Sequence, residues 1–523
     1  MSHITGTDRS QLNLFPLSID EMVGQENPVR LIDLFVNQFD FKKLGFKNAV
    51  ATEQGQPPYD PSDLMKLYLY GYLNRIRSSR KLEKECERNL ELIWLMKGLH
   101  PRYHTIADFR SHHPKQLKNL FRQFVSLLQG WDLIEGKLVS IDGSKFRAVN
   151  SRKNNFNEKK IERQLEYIDE KINSYLTQLE AEDKAEHGDR KLDVKKIKLQ
   201  IEKQQQRKKK YESLREELKQ SGEEQVSTTD KDARSMPVNH QRMDVSYNVQ
   251  TANDAKHSLV VHYENTNVND KKALVNVATE TKEMLKKETL EVLADKGYHN
   301  GEQIDTCTRN KIVTYVAAPD IPRTNQVPAP AYHGDKFIYD AGKDIYTCPA
   351  GATLTTNGRW YDKKNGNKYE NKVKHYKTKA CKSCPVKAFC TRNKNGRLIE
   401  RSQYAEAVEA NAKRIDAEKE KYALRQQISE HPFGIIKRQW GYDHVLLKGK
   451  QKVEAELGLI FTAYNLRRVL TLLGFSELKK RLERAFLIML ILWRVPAHII
   501  NKSFSHSYIA LLPVMIFLLY FYF

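Results

Sequence analysis

The chain has 523 residues, 40% of them hydrophobic, which is enough for sizeable cores and two to four domains. Lys and Arg total 87 against 65 for Asp and Glu, so the formal net charge is +22 and the pI is about 9.4. The length and the hydrophobic content therefore exclude the class of proteins that are too small or too polar to form a hydrophobic core. The positive surplus favours a polyanionic partner, with nucleic acid the first candidate, although a solvated basic face with no partner would give the same charge.

The N-terminus and the cysteine count predict a reducing, cytoplasmic location. Six cysteines are few for this length, and the first residues lack the basic and then apolar pattern of a signal peptide. At the other end, 486–493 and 508–523 are strongly apolar. The second run has 16 residues, fewer than the roughly 20 that span a bilayer. We therefore predict that 476–523 is an apolar tail, either buried, disordered or a read-through extension not selected for folding, rather than a membrane anchor.

Residues 59–113 predict three short helices within an N-terminal helical module, 1–130. Ser78 is placed to cap the second helix, and 105–108 resembles a capping box for the third. Basic side chains lie near the junctions: Arg75, Arg77, Arg80 and Lys81. This arrangement predicts a DNA-binding module similar to a helix-turn-helix, and a helical bundle with a solvated basic edge is an equally good interpretation.

A heptad pattern separates this module from most of the later strands. Apolar residues step by four and three from Ile161 to Leu179 and resume from Val194 to Leu218. The pattern predicts a helical hairpin with an antiparallel coiled-coil seam, inserted at 155–222. We interpret it as a rigid spacer or a dimerisation arm without chemistry of its own.

The remaining pattern predicts an α/β domain. Its expected elements are strands at 138–141, 243–250 and 258–263, a helix at 271–285, a strand at 290–294, a short helix, and a strand at 312–317. This order suits a mixed sheet with helices packed against it. We assign its first part to 136–318 and its second part to 401–475.

Three acids in this domain predict a metal centre for phosphoryl transfer. Asp142 and Asp295 each follow a short apolar strand, and Glu430 lies in a strongly helical stretch with cationic neighbours. Carboxylates are suitable ligands for Mg²⁺ or Mn²⁺, and two-metal cleavage places its ions about 3.5 to 4 Å apart. In this prediction Asp142 bridges both ions, while Asp295 binds one and Glu430 the other. A single Asp after a strand is more often a helix cap or a turn residue, so only the combination supports the metal site.

Four cysteines predict a second metal site in an insertion at 319–400. They are Cys348, Cys381, Cys384 and Cys390. Four thiolates in a reducing compartment suit a structural, tetrahedral Zn²⁺. Disulfide pairing is the chemical alternative, and the compartment disfavours it.

These motifs resemble those of bacterial insertion-sequence transposases of the DDE superfamily. The segments that carry the resemblance are Ile141-Asp142-Gly143, Ala294-Asp295-Lys296-Gly297-Tyr298, Tyr247-Asn248-Val249-Gln250, 229–234 and 70–80. The family's Tyr-Arg-Glu-Lys motif falls on Tyr422, Arg425, Glu430 and Lys437. Four residues separate Arg425 from Glu430 here, where the familiar motif has three.

The resemblance implies an RNase H-like catalytic domain and a DNA transposase that cleaves and transfers strands at the ends of an insertion sequence. Its partners would be double-stranded DNA, at the element ends and the target, and a second copy of the chain in the DNA complex, with no small-molecule substrate. It would act in the bacterial cytoplasm at the nucleoid. Phosphate contacts near the cleaved bond would come from Tyr422, Arg425, Lys437 and Arg438. A metal-dependent nuclease without strand transfer, or an inactive transposase-derived DNA-binding protein, are the alternatives.

Overall fold

The computed structural model describes residues 18–50, 57–183, 191–238, 242–267, 269–319, 327–365 and 368–494. Its first helices are α1 (Pro28–Val36), α2 (Pro61–Leu73), α3 (Ser79–Arg88), α4 (Leu90–Leu95), α5 (Tyr103–His112) and α6 (Pro114–Gly130). The predicted cap is confirmed, because the Lys81 N–H donates to Ser78 Oγ at the start of α3. The predicted capping box at 105–108 is wrong. Helix α5 already begins at Tyr103, so Thr105 lies inside it.

A mixed sheet follows these helices. The next elements are β1 (Leu138–Arg147), β2 (Asn155–Phe156), α7 (Glu158–Asp183), α8 (Lys191–Ser221), β3 (Val226–Ser227), β4 (Arg234–Pro237), β5 (Met243–Asp254), β6 (Val260–Thr266), α9 (Leu274–Met284), β7 (Leu290–Ala294), α10 (Gly301–Arg309) and β8 (Ile312–Val316). The strand order is β4-β5-β1-β7-β8, with β6 also paired to β5. Strand β5 runs antiparallel to β1 and β6, whereas β1, β7 and β8 are parallel. The predicted mixed α/β sheet is therefore confirmed.

Helices α7 and α8 leave this sheet as an antiparallel pair. Glu162 on α7 lies 3.7 Å from Arg215 on α8, and Asp169 on α7 lies 2.7 Å from Lys208 on α8. The second pair is seven residues later on α7 and seven residues earlier on α8, so the two helices run in opposite directions. Apolar side chains on the predicted seam are buried at the end near the sheet, among them Ile161. The tip of the pair, 184–190, lies outside the described residues, and the coiled-coil geometry stays a prediction.

A second, smaller sheet occupies the predicted insertion. It contains β9 (Ile338–Asp340), β10 (Ile345–Thr347), β11 (Thr353–Asn365), β12 (Lys368–Lys377) and β13 (Ile399–Ser402), and the short helix α11 (Lys387–Cys390) lies between the last two strands. All neighbouring strands pair antiparallel, in the order β13-β12-β11-β10-β9. The sheet has its own apolar cluster around Tyr376, Leu354 and Ile399. The insertion is thus built separately from the central sheet.

The C-terminal helices return to the main core. They are α12 (Ala405–Ala417), α13 (Lys419–Phe433) and α14 (Lys450–Arg494), with a π-helical turn at Gly434–Gln439. Helix α14 is interrupted at Gly474, where φ is +73°, and it packs against α1, α2, α5 and α6. One continuous apolar core joins the N-terminal helices, the sheet and α14.

The first part of the predicted apolar tail is helical and packs into the main core. Leu478 and Leu482 are fully buried in the main core, and Leu482 accepts a hydrogen bond from the Gln38 side chain. The run at 486–493 lies within α14, while 495–523 falls outside the described residues. Across the part of the chain that the structure describes, no helix is both long and apolar enough to cross a membrane.

Arg77 has a different role from the predicted DNA contact. Its side chain is only 8% exposed, and its guanidinium lies 3.4 Å from the fully buried Glu456 carboxylate. The guanidinium also donates to the His444 carbonyl and lies 4.3 Å above the Tyr442 ring. These contacts tie the α2–α3 junction to α14, so the side chain is not available to a phosphate.

Replacing Arg77 by Met should lower the free energy of unfolding by about 3 kcal/mol, because Glu456 would be left buried without its cationic partner. Urea titration of the purified protein measures this loss. Arg80→Met is the matched control, since Arg80 is exposed, and it should change stability by no more than about 0.5 kcal/mol. Equal stability of the two variants, with weaker DNA binding by Arg77→Met, would restore the original prediction.

Candidate active site at the end of the central strands

The register of two parallel strands brings Asp142 and Asp295 together. Ile141 on β1 pairs with Ala294 on β7, so the next residue on each strand is an aspartate at the same level of the sheet. Asp295 ends the strand and accepts the Gly297 N–H at 2.8 Å, which begins a 3₁₀ turn. Asp142 accepts the N–H of Gly143, also at 2.8 Å. Two acids far apart in the sequence thus become neighbours.

The charge balance around Asp142 suits a cation. Burial raises the pKa of Asp142 to about 6, and the charges of Asp295 and Asp270 contribute to the rise. The Gly143 N–H and the Arg425 guanidinium lower the pKa of the same carboxyl. Negative charge gathered in a partly buried position is stabilised when a cation binds, so these acids fit a divalent metal.

Helix α13, which carries Glu430, packs against the strand that bears Asp142. Ser429 Oγ lies 2.6 Å from Ser140 Oγ, which fixes α13 against the strand that bears Asp142. Glu430 follows Ser429 directly, is exposed, and accepts a hydrogen bond from Gln426 at 3.0 Å. Within the described ranges, no three His, Cys, Asp or Glu side chains are grouped closely enough to hold a metal ion. The structure therefore brings Asp142 and Asp295 together, whereas Glu430 lies on a separate helix and is not grouped with them.

The other predicted residues of the Tyr-Arg-Glu-Lys motif face the same strands. The Tyr422 hydroxyl donates to the Ala294 carbonyl at 3.2 Å, just before Asp295. Lys437 Nζ donates to Ser144 Oγ at 2.9 Å and to the Lys145 carbonyl at 2.8 Å, and burial lowers the pKa of Lys437. Arg438 is exposed next to it. Tyr422 thus contacts the end of β7 next to Asp295, and Lys437 contacts β1 just after Asp142, which lies inside that strand.

The π-helical turn explains how Lys437 reaches β1. Pro432 inside α13 has no N–H to donate, which weakens the α-helical ladder two residues after Glu430. The chain continues as the wider turn Gly434–Gln439, which contains Lys437. Such turns interrupt helices frequently at functional sites.

Sequence reasoning missed a polar network on the neighbouring strand. Asn248 and Gln250 are fully buried on β5, and both amides donate at 2.8 Å to Asp270 Oδ1. The Tyr298 hydroxyl donates to Gln250 Oε1. Lys145 Nζ lies 3.2 Å from both oxygens of Asp270. Asn248 and Gln250 stand in the segment Tyr247-Asn248-Val249-Gln250 that carries the family resemblance, which was the available signal for them, while nothing in the pattern distinguished Asp270.

The four predicted zinc thiols line one small cavity in the insertion. Cys348, Cys381, Cys384 and Cys390 all border it. Burial raises the pKa of Cys390, and the other three thiols raise it further. The Ala352 N–H points at Cys348 Sγ from 3.3 Å. Gly396 has a φ of +91°, and an added Cβ there would lie 2.5 Å from Cys381 Cβ, so only glycine permits this approach.

The predicted cations of the N-terminal module divide into two groups. Arg75, Arg80 and Lys81 are exposed at the α2–α3 junction, whereas Arg77 is buried as described above. A further basic groove adjoins the far end of β1. Its exposed cations are Arg147, Arg152, Lys153 and Arg242. Arg147 is paired with Asp443 at 2.8 Å.

The metal-free protein should gain stability when Asp142 is replaced by Asn. The folded state raises the pKa of Asp142 from 3.8 to about 6, so it binds this proton more tightly than the unfolded chain does. Ionised Asp142 therefore opposes folding above about pH 6, and its contribution vanishes below about pH 4. Urea titrations in EDTA should give Asp142→Asn an advantage on the order of 2 kcal/mol at about pH 7.5, shrinking toward about pH 4.5. Glu420→Gln, on the exposed face of α13, is the control, and an advantage independent of pH would contradict the assignment.

Two family models match the chain. One, described as a transposase DDE domain, covers residues 347–470, which include the four cysteines, Glu430 and Lys437. The other, described as a transposase domain (DUF772), covers residues 17–112, which hold the first helices. No curated protein and no solved structure matches the chain. Both matches are to transposase domains, and they support an insertion-sequence DDE transposase.

Proposed function

We propose that this transposase binds the ends of its insertion sequence and catalyses strand cleavage and strand transfer at Asp142, Asp295 and Glu430. The pairing of Ile141 with Ala294 carries the proposal, because it places two carboxylates side by side at a sheet edge. The sheet, with antiparallel β6, β5 and β1 followed by parallel β7 and β8, supports the RNase H-like domain that the family resemblance implies.

The acidic residues fit Mg²⁺ or Mn²⁺. Asp142 and Asp295 would hold the cation, and Glu430 would join them after leaving Gln426. A bound divalent ion supplies activation of the attacking oxygen and stabilisation of the leaving oxygen. The Gly143 N–H and Arg425 favour the ionised form of Asp142, so this carboxylate is prepared to act as a ligand.

Cationic side chains around the acids would hold the phosphodiester in line. Arg425 and Lys437 lie on either side of Glu430 along the chain, and Arg438 is exposed next to them. Tyr422 also contacts the end of β7, and Lys437 contacts the middle of β1. We infer that Arg425 and Arg438 contact phosphate directly, while Lys437 exchanges its bond with Ser144 for one with DNA.

Two surfaces would extend the contact with DNA away from the acids. The basic groove at the far end of β1 presents Arg147, Arg152, Lys153 and Arg242, and Arg75, Arg80 and Lys81 lie exposed on the N-terminal helices. The net charge of +22 supports phosphate binding along the duplex. Because two element ends must be joined, we propose a homodimer in the DNA complex, with the α7–α8 pair as a spacer or dimerisation arm.

Each acid of the centre should be essential for cleavage. Purified protein is incubated with Mg²⁺ and DNA that carries the element ends, and nicked and joined products are separated on gels. Asp142→Asn and Asp295→Asn should lower the cleavage rate by at least about 10³-fold, because each removes a charged ligand of the cation, and Glu430→Gln should behave similarly.

Glu420→Gln is the matched control on α13 and should cleave at the wild-type rate. Wild-type activity in Glu430→Gln would remove Glu430 from the centre. Cleavage without joined products would assign a nuclease rather than a strand-transfer enzyme. A wild-type protein that binds the ends without cutting them would assign a DNA-binding protein derived from a transposase.

We propose in addition that the four thiols of the insertion bind a structural Zn²⁺. Three observations support this: the thiols share one cavity, the Ala352 N–H points at a sulfur, and glycine permits the close approach of Cys381. Small shifts of the loops would complete a tetrahedral set of thiolate ligands.

Metal analysis should find about one zinc per chain in wild-type protein purified without added metal. The double variant Cys381→Ser/Cys384→Ser should contain none and should lose protection of the insertion against protease. Cys307→Ala is the control, because Cys307 is buried in the main core away from the cavity, and it should keep its zinc. Equal zinc content in all three proteins would disprove the site.

A further inference from the structure

Asp270 lies beside the cleavage centre and has no place among the three acids. It starts a short 3₁₀ turn, Asp270–Lys272, that leads from β6 into α9. Its charge is among those that raise the pKa of Asp142. Both of its oxygens are already engaged by Lys145, and one of them also accepts two amides, so the carboxylate is held firmly in place.

The network around Asp270 reaches both catalytic strands. On the β1 side it contacts Lys145, three residues after Asp142. Toward β7 it fixes Gln250, whose carbonyl oxygen accepts the hydroxyl of Tyr298. Tyr298 is 1% exposed and closes the 3₁₀ turn that Asp295 begins. A single carboxylate is therefore linked to the backbone segments that carry both aspartates.

Gly143 shows how closely this network approaches β1. A Cβ at Gly143 would clash with Gln250 Nε2 and would lie 2.6 Å from Asp270 Oδ1. Since β7 ends at Ala294, β1 beyond Asp142 pairs only with β5 among the named strands, and the network fills the space next to it. Gly143 is therefore required because Gln250 and Asp270 leave no room for a Cβ, not because the backbone turns there.

We propose that Asp270 is a positioning residue of the cleavage centre: it holds Gln250 and Lys145 against Gly143 and so keeps Asp142 and Asp295 side by side. The inference rests on the proposed function, because it concerns the same centre. Asp270 acts through these neighbours and does not itself touch the reacting phosphate. A misplacement of about 1 Å in such a centre lowers a rate by roughly 10²-fold.

Asp270→Asn tests the proposal, because asparagine keeps the size and one acceptor oxygen but loses the charge that holds Lys145. We expect the cleavage kcat to fall by about 30 to 100-fold, with KM for DNA and the half-saturating Mg²⁺ concentration each within about threefold of wild type. Adding Lys145→Met should restore part of kcat, since it removes the unpaired ammonium group. Glu283→Gln, an exposed acid on α9, is the control and should match wild type.

Tyr298→Phe provides a second variant that keeps the shape of the buried ring. Loss of its hydroxyl should lower kcat by about 5 to 20-fold with unchanged thermal stability of the fold. Wild-type kcat in both Asp270→Asn and Tyr298→Phe would overturn the proposal. A rise of more than about tenfold in the half-saturating Mg²⁺ concentration would also overturn it and make Asp270 a metal ligand. Failure of the proposed function is distinct, because Asp142→Asn would then cleave normally.

Discussion

The pairing of Ile141 with Ala294 is the constraint on which the rest of the centre depends. Parallel strands place their carboxyl ends at one edge of a sheet, and here the register is such that an aspartate follows each paired residue. A shift of one residue would turn one side chain to the opposite face and separate the acids. The packing that fixes this register is therefore part of the chemistry: Ser140 against Ser429, and Tyr422 against the Ala294 carbonyl.

Holding two carboxylates together opposes folding, and the surrounding residues limit that cost. Arg425 and the Gly143 N–H stabilise the charge of Asp142, while Lys145 neutralises Asp270 next to it. Lys437 is held partly buried between Ser144 and the Lys145 carbonyl. The centre thus holds acidic and basic side chains close together without pairing all of their charges. Such an arrangement is common at functional sites.

Local patterns predicted the elements of this fold, and distant contacts account for what they missed. Strand alternation, helix periodicity and the acid motifs each depend on neighbouring residues, so the mixed sheet, the α7–α8 pair and the positions of Asp142 and Asp295 were accessible. Arg77 looked like any basic residue at a helix junction, because its partner Glu456 lies 379 positions away. Asp270 had no local signal either, since its role arises only when β1 and β5 pair. Leu478 and Leu482 were assigned to an apolar tail because the helices that cover them lie at the other end of the chain.

The same distant contacts fix the N-terminal helices against the sheet. A DNA-binding module joined by a flexible linker would change its orientation relative to Asp142 and Asp295. Here the N-terminal helices share one apolar core with the sheet and α14, and the buried Arg77–Glu456 pair joins the α2–α3 junction to that helix. The exposed cations Arg75, Arg80 and Lys81 therefore stand in a fixed relation to Asp142 and Asp295. If the proposed function holds, rigid packing rather than linker length would determine how far from the bound sequence the strand is cut.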